Sequence, residues 1–190
     1  MKRFKVEVLL VALACFAPLI GAYLLYYLGD LSALPRVQNP DRQLVSPAVP
    51  LPPPPGAAAG DGVSGWGPDW SLLYVRTSAC DDACREHVVR IAQVHAALGR
   101  DRDRVRRVYL GPDADALASR DPKLAAASTA DASADALLDA LASAGAEPGD
   151  GGRLYVVDPH GNLVLSYPAD AEQRGLLEDL ERLLDVSQIG

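Results

Sequence analysis

The stretch Ser71-Leu-Leu-Tyr-Val-Arg-Thr-Ser-Ala-Cys-Asp-Asp-Ala-Cys84 constrains this chain more than any other. It reads as a short apolar strand, a polar loop, and two cysteines four apart that open a helix. The helical apolar pattern runs on through Val88, Ile91, Val94 and Leu98. Cysteines at i and i+4 share a helix face, with Cβ atoms roughly 5–6 Å apart. A disulfide wants about 3.8 Å, so closing one calls for slight unwinding of the first turn. Two thiolates at this spacing can also grip one soft metal ion if a third ligand joins them. Cys80 and Cys84 therefore support thiol–disulfide exchange or copper or zinc binding. An inert structural disulfide in an oxidising compartment is the third reading.

Local charge bears on that choice. A helix N-terminus lowers a thiol's pKa, because the thiolate meets unpaired N–H groups and the positive end of the dipole. Asp81 and Asp82 oppose this, and Arg76 and Arg85 offset them if they point inward. The expectation is a moderately activated thiol beside charge that leans toward a cation. Among the histidines, His87 lies three residues beyond Cys84 and falls on the same helix stripe, which makes it the candidate third metal ligand. His95 is too far along the helix at about 1.5 Å rise per residue. His160 sits in a hairpin turn, and the Asp150 carboxylate is a hard donor that suits Cu(II) better than Cu(I).

The rest of the chain frames this pair. Lys2, Arg3 and Lys5 precede an apolar run from Val6 to Leu28, long enough for the ~20 helical residues that span a bilayer. The basic residues put the N-terminus in the cytoplasm, and Tyr23, Tyr26 and Tyr27 suit the far interface. Residues 1–30 are thus expected to be a cytoplasmic N-terminus and a transmembrane anchor in the inner membrane. Cys15 reads as a small buried residue of that helix. From 31 to 65 the chain turns rich in Pro, Gly and Ala, which reads as a semi-rigid linker. Residues 66–190 are expected to form the soluble domain, in the periplasm. That part carries 21 Asp+Glu against 13 Lys+Arg, a balance that repels nucleic acid.

Within it the apolar patterns predict strands at 72–75, 105–110, 154–157 and 163–167. Helices are predicted at 80–98, 132–144 and 169–186, with a weaker helix in the alanine-rich stretch after Asp113. The order β-α-β-α-β-β-α predicts an α/β, thioredoxin-like domain behind an N-terminal transmembrane helix. The cysteine pair falls where the first strand meets the first helix.

Several stretches resemble the Sco family of membrane-anchored cytochrome c oxidase assembly proteins. Cys80-Asp-Asp-Ala-Cys84 is similar to the family's Cys-x-x-x-Cys motif, with Asp82 matching. Val108-Tyr-Leu-Gly-Pro-Asp113 is similar to its second strand, and Leu154-Tyr-Val-Val-Asp-Pro-His-Gly161 to its hairpin. The resemblance implies reduction of an oxidase copper site, copper delivery, or both, through Cys80 and Cys84. It implies as partner a cytochrome c oxidase subunit or its assembly factors, with copper as the metal. The motif also departs from the family: Asp81 and Arg85 stand where Pro is usual, and Asp150 stands where the family carries its copper-binding His. A general thiol–disulfide oxidoreductase and a non-catalytic binding module are the alternative functions.

Overall fold

The computed structural model describes residues 16–17, 41–56 and 65–187. In chain order the elements are β1 (Gln43–Pro50), β2 (Trp70–Val75), α1 (Asp82–Ala97), a 3-10 turn (Gly99–Arg104), β3 (Val105–Leu110), α2 (Ala114–Arg120), β4 (Leu124–Ala127), α3 (Ala132–Ser143), β5 (Arg153–Val157), β6 (Asn162–Pro168) and α4 (Gln173–Val186). They form one six-stranded sheet in the order β1-β6-β5-β2-β3-β4. The β2, β3 and β4 strands run parallel, while β5, β6 and β1 join antiparallel.

Every residue of β2 is buried, as an apolar run at the centre of a sheet covered on both faces should be. Side chains alternate across a strand, so Leu72 and Tyr74 enter one core and Leu73 and Val75 the other. The first core takes Val88, Ile91 and Val94 from α1 and Leu176, Leu180 and Leu184 from α4. The second takes Leu137 and Leu141 from α3, with Trp66 fully enclosed. The expected thioredoxin-like α/β arrangement is present.

Two strands were not anticipated, and each has a physical reason. Gln43–Pro50 falls in the stretch read as linker, yet it pairs antiparallel with β6 from Gln43↔Ser166 to Pro50↔Asn162. Proline cannot donate a ladder hydrogen bond, which argues against a central strand but not against an edge strand. Val45 and Leu51 are buried in the second core, and Leu51 accepts the Trp66 indole N–H at 3.1 Å. The sheet therefore takes in residues ahead of Trp66, and the linker expected over 31–65 is corrected over Gln43–Pro50. β2 is accordingly the second strand. Leu124-Ala-Ala-Ala127 reads helical by propensity, but its small side chains pair in parallel with β3, from Arg107↔Leu124 to Leu110↔Ala127. The expected transmembrane run Val6–Leu28 lies outside the described residues save Phe16 and Ala17. Among the described residues, no helix is long and apolar enough to cross a membrane.

Candidate functional site

The parallel strands β2 and β3 end side by side, and the Arg76 N–H extends their ladder by donating to the Leu110 carbonyl at 2.9 Å. In open α/β sheets, the crevice outside the carboxyl ends of the strands is where sites form. Here it receives the loop from Arg76 to Asp81 and the turn from Gly111 to Asp113. Cys80 and Cys84 are joined as a disulfide across 5.2 Å between Cα atoms, within the usual span.

Helix α1 does not start at Cys80 as its periodicity predicts. Asp81 is the N-cap, and its Oδ1 accepts the Cys84 N–H at 2.9 Å, as a capping carboxylate does. Cys80 therefore precedes the helix, and the bridge closes with no unwinding of the first turn. The main chain of Cys80 is held on both sides. Its N–H donates to Asp113 Oδ2 at 2.6 Å, and its carbonyl accepts from Arg85 Nη1 at 2.8 Å. The two sulfurs are then unequal: Cys84 is completely buried, while Cys80 is partly exposed. A thiolate arriving from outside reaches Cys80.

The charges resolve into pairs. Arg76, its side chain only 8% exposed, binds Asp81 at 2.9 Å and donates to the Ser78 hydroxyl at 2.9 Å. Asp82 pairs with Arg85. The Cys84 N–H and then the Arg76 guanidinium hold the Asp81 carboxyl below its ordinary pKa. Arg76 thus faces inward while Arg85 stays 43% exposed, and both acidic residues between the cysteines are matched. The local lean toward a cation expected from Asp81 and Asp82 is cancelled. Of the Arg76–Asp81 pair the guanidinium is the buried member.

Across the crevice lies the segment before β5. Ser78 Oγ donates to the Asp150 carbonyl at 3.0 Å, and Tyr74 Oη to the Gly151 carbonyl at 3.2 Å. Gly152 adopts φ +82°, and a Cβ there would lie 2.7 Å from the Tyr74 ring, so this close approach requires glycine. Tyr74 packs against His87 and Tyr109, with ring centroids 6.1 and 5.8 Å away. Burial pushes the phenols of Tyr74 and Tyr109 up, that of Tyr109 to about 12.

The structure brings Cys80 and Cys84 together but adds no third donor. His87 lies edge-on to Tyr74, and burial, with Arg90 second, pushes its imidazole down from its ordinary pKa. Among the described residues, no three of His, Cys, Asp or Glu gather into a metal-binding group. Asp150 meets Ser78 through its carbonyl, and its side chain is exposed. A bridged sulfur also lacks the charge that makes a thiolate a metal ligand. In this arrangement the residues do not fit copper. His95 is half-buried, its Nε2 paired with the Val105 carbonyl at 2.7 Å, and His160 occupies the β5–β6 turn.

Asp113 escaped the sequence reading as a site residue. Its signal was position: it follows β3, and parallel neighbours β2 and β3 end together.

A family model described as "transmembrane-like, thioredoxin-like, C-terminal domain" matches residues 70–187. No protein of curated function matches the sequence. Among solved structures, the chain is similar to apo Sco1 from Thermus thermophilus, with 17% identity and a TM-score of 0.52 over 74% of this chain and 95% of that one. It is also similar to a DsbF homologue from Corynebacterium diphtheriae, with 14% identity and a TM-score of 0.50 over 78% of this chain and 95% of that one. At these identities the likeness is one of fold.

Proposed function

The chain belongs to the family of transmembrane-like, thioredoxin-like C-terminal domains, and from that footing we propose that it is a thiol–disulfide oxidoreductase acting on paired cysteines of a partner protein. Cys80 is the attacking sulfur and Cys84 the resolving one. The observation that carries this reading is the inequality of the bridge: Cys84 is fully buried at the first turn of α1, and Cys80 is partly exposed ahead of the cap.

In the reduced chain the Cys80 thiolate attacks a target disulfide, forms a mixed disulfide, and expels one target thiolate. The Cys84 thiolate then attacks Cys80 Sγ, closes the bridge, and releases the second target thiolate. Two electrons pass to the target, and a dithiol donor returns them to the pair. Asp113 and Arg85 fix the Cys80 backbone through both steps.

We further propose the target class implied by the Sco resemblance: the copper-site cysteines of a cytochrome c oxidase subunit, or those of its assembly factors. These would be met in the periplasm by a domain held at the inner membrane through Val6–Leu28. Among the described residues no third donor gathers beside Cys80 and Cys84, which favours reduction of that site over copper delivery.

The test mixes the reduced full-length chain with an oxidised peptide that carries an oxidase copper-site cysteine pair. Wild type is expected to transfer two thiol equivalents. The Cys84→Ser variant should trap a mixed disulfide on Cys80, and Cys80→Ser should be inert. A Cys80→Ser variant as active as wild type sinks the assignment. Cu(I) competition against a chromogenic chelator addresses delivery: stoichiometric binding lost in the double variant would restore that role.

A further inference from the structure

An apolar groove of about 380 Å³ runs between α1 and α2, floored by Val88, Val89, Ala92 and Ala96 on one side and Leu117 on the other. It shares Arg85, Leu117 and Arg120 with a smaller hollow of about 110 Å³ that Cys80 itself lines. The groove is thus continuous with the one sulfur that an external thiol can reach. Val89 is 55% exposed, an unusual solvent exposure for a β-branched aliphatic on a helix whose other valines are buried.

The charges at its rim lean one way. Arg120 is exposed and, among the described residues, pairs with no carboxylate, and Arg85 is 43% exposed beside Cys80. The acids nearby are committed. Asp121 Oδ2 lies 2.5 Å from the buried guanidinium of Arg107, and Asp113 accepts the Cys80 N–H at 2.6 Å. An otherwise acidic chain therefore presents, beside its exposed sulfur, an apolar trough whose rim carries the exposed Arg120, while Arg85 is held by Asp82.

Resting on the exchange reading, we propose that this groove is the docking site for the polypeptide segment flanking the target cysteine, and that the segment is aliphatic with an acidic residue near the cysteine. Aliphatic side chains of the target lie over Val89, Ala92 and Leu117, and its carboxylate meets Arg120. The groove selects the partner, while the bridge supplies the chemistry.

Peptide thiols acting on the oxidised full-length chain provide the test. The peptide thiolate attacks Cys80 Sγ, forms a mixed disulfide with the peptide sulfur, and expels the Cys84 thiolate, which takes a proton from water. The probe peptide reads cysteine, glycine, glutamate, leucine, alanine, leucine. Its counterparts replace glutamate by lysine, or both leucines by serine, and each is also made in reverse order. 2-Mercaptoethanol serves as the neutral thiol without a flanking segment.

The glutamate–leucine peptide, in one of its two orders, is expected to react on the order of tenfold faster than either counterpart, what burial of about one aliphatic side chain yields. The Arg120→Glu variant should invert the glutamate–lysine preference, and Val89→Lys should erase the leucine preference. Both variants should keep the wild-type rate with 2-mercaptoethanol. Equal rates for all peptides, with 2-mercaptoethanol still opening the bridge, overturn the groove and leave the exchange reading standing. No opening by 2-mercaptoethanol overturns both. Rates that fall as protein concentration rises, with a dimer in sedimentation, assign the groove to a second copy and overturn the proposal.

Discussion

The cysteine end of the sheet and its β1 edge are each tied by an arginine–aspartate pair, built in opposite senses. At the cysteine end the cation is the buried partner: Arg76 is 8% exposed and Asp81 59%. At the edge the anion is buried: Asp179 of α4 is 7% exposed and Arg42, just before β1, 29%, at 2.8 Å. Asp179 also accepts the Tyr167 hydroxyl at 2.9 Å inside the core. Each pair is neutral while both members stand; what differs is which charge the fold encloses, the Arg76 guanidinium at the cysteine loop or the Asp179 carboxylate at the edge.

The comparison breaks most readily at the edge. Arg42→Ala removes the Arg42 side of a largely buried ion pair, which typically costs about 3 kcal/mol. The expected result is a drop in melting temperature on the order of 6–12 °C, with the exchange rate of the folded protein unchanged. Thermal unfolding beside a peptide-reduction assay reads both quantities. An unchanged melting temperature would show that β1 is not held by this pair.

Arg76→Met probes the other sense. The carboxylate it leaves behind, Asp81, is mostly exposed and keeps the Cys84 N–H, so the stability loss should be smaller than that of Arg42→Ala. The larger consequence is chemical. With the buried cation gone, the Cys80 thiol of the reduced chain should ionise at higher pH, and exchange at neutral pH should slow by roughly three- to tenfold. Alkylation of the reduced chain as a function of pH reads the shift. A profile that does not move would assign Arg76 to holding the loop alone.

The sequence made the two ends legible to different degrees. Around Cys80 the apolar run, the helical period and the cysteine spacing agree with one another, so β2, α1 and the pair could be read directly. The pairing of Arg76 with Asp81 and of Arg85 with Asp82 could be named only as a condition, because side-chain direction depends on where the cap falls. Asp113, which holds the Cys80 amide, lies 33 positions away in sequence; only the parallel register of β2 with β3 brings it there. The edge was less legible still. Proline hides a strand whose ladder needs few of its own N–H groups, and Asp179 meets Arg42 across 137 positions of sequence, which no local pattern announces. The alanines of β4 failed similarly, since propensity yields to a free strand edge on β3.

Two buried tyrosines sharpen the comparison at the smallest scale. Tyr167 spends its hydroxyl on Asp179, so Tyr167→Phe should destabilise by about 1–3 kcal/mol, the cost of a buried carboxylate losing a donor. Tyr109 is equally buried, but among the described residues its hydroxyl has no hydrogen-bond partner. It lies so close over Gly111 that a Cβ there would fall 2.1 Å from the oxygen. Tyr109→Phe therefore removes no bond, and it should be neutral or stabilising by up to about 1 kcal/mol at neutral pH. The sign of its pH dependence follows from burial, the largest cause raising its pKa from 10.0 to about 12, with Tyr74 and Asp113 adding to it. The unfolded phenol ionises first, so the contribution of Tyr109 is complete below pH 10 and lost as pH rises through about 12, on the order of 2–3 kcal/mol in all. In Tyr109→Phe the alkaline fall in stability should be shallower across that window, though Tyr155 and Tyr167, also raised by burial, keep it from vanishing. Denaturant unfolding at stepped pH measures this. A variant whose alkaline limb superimposes on wild type would mean that the Tyr109 hydroxyl reaches water, and that the cysteine end of the core is wetter than the edge.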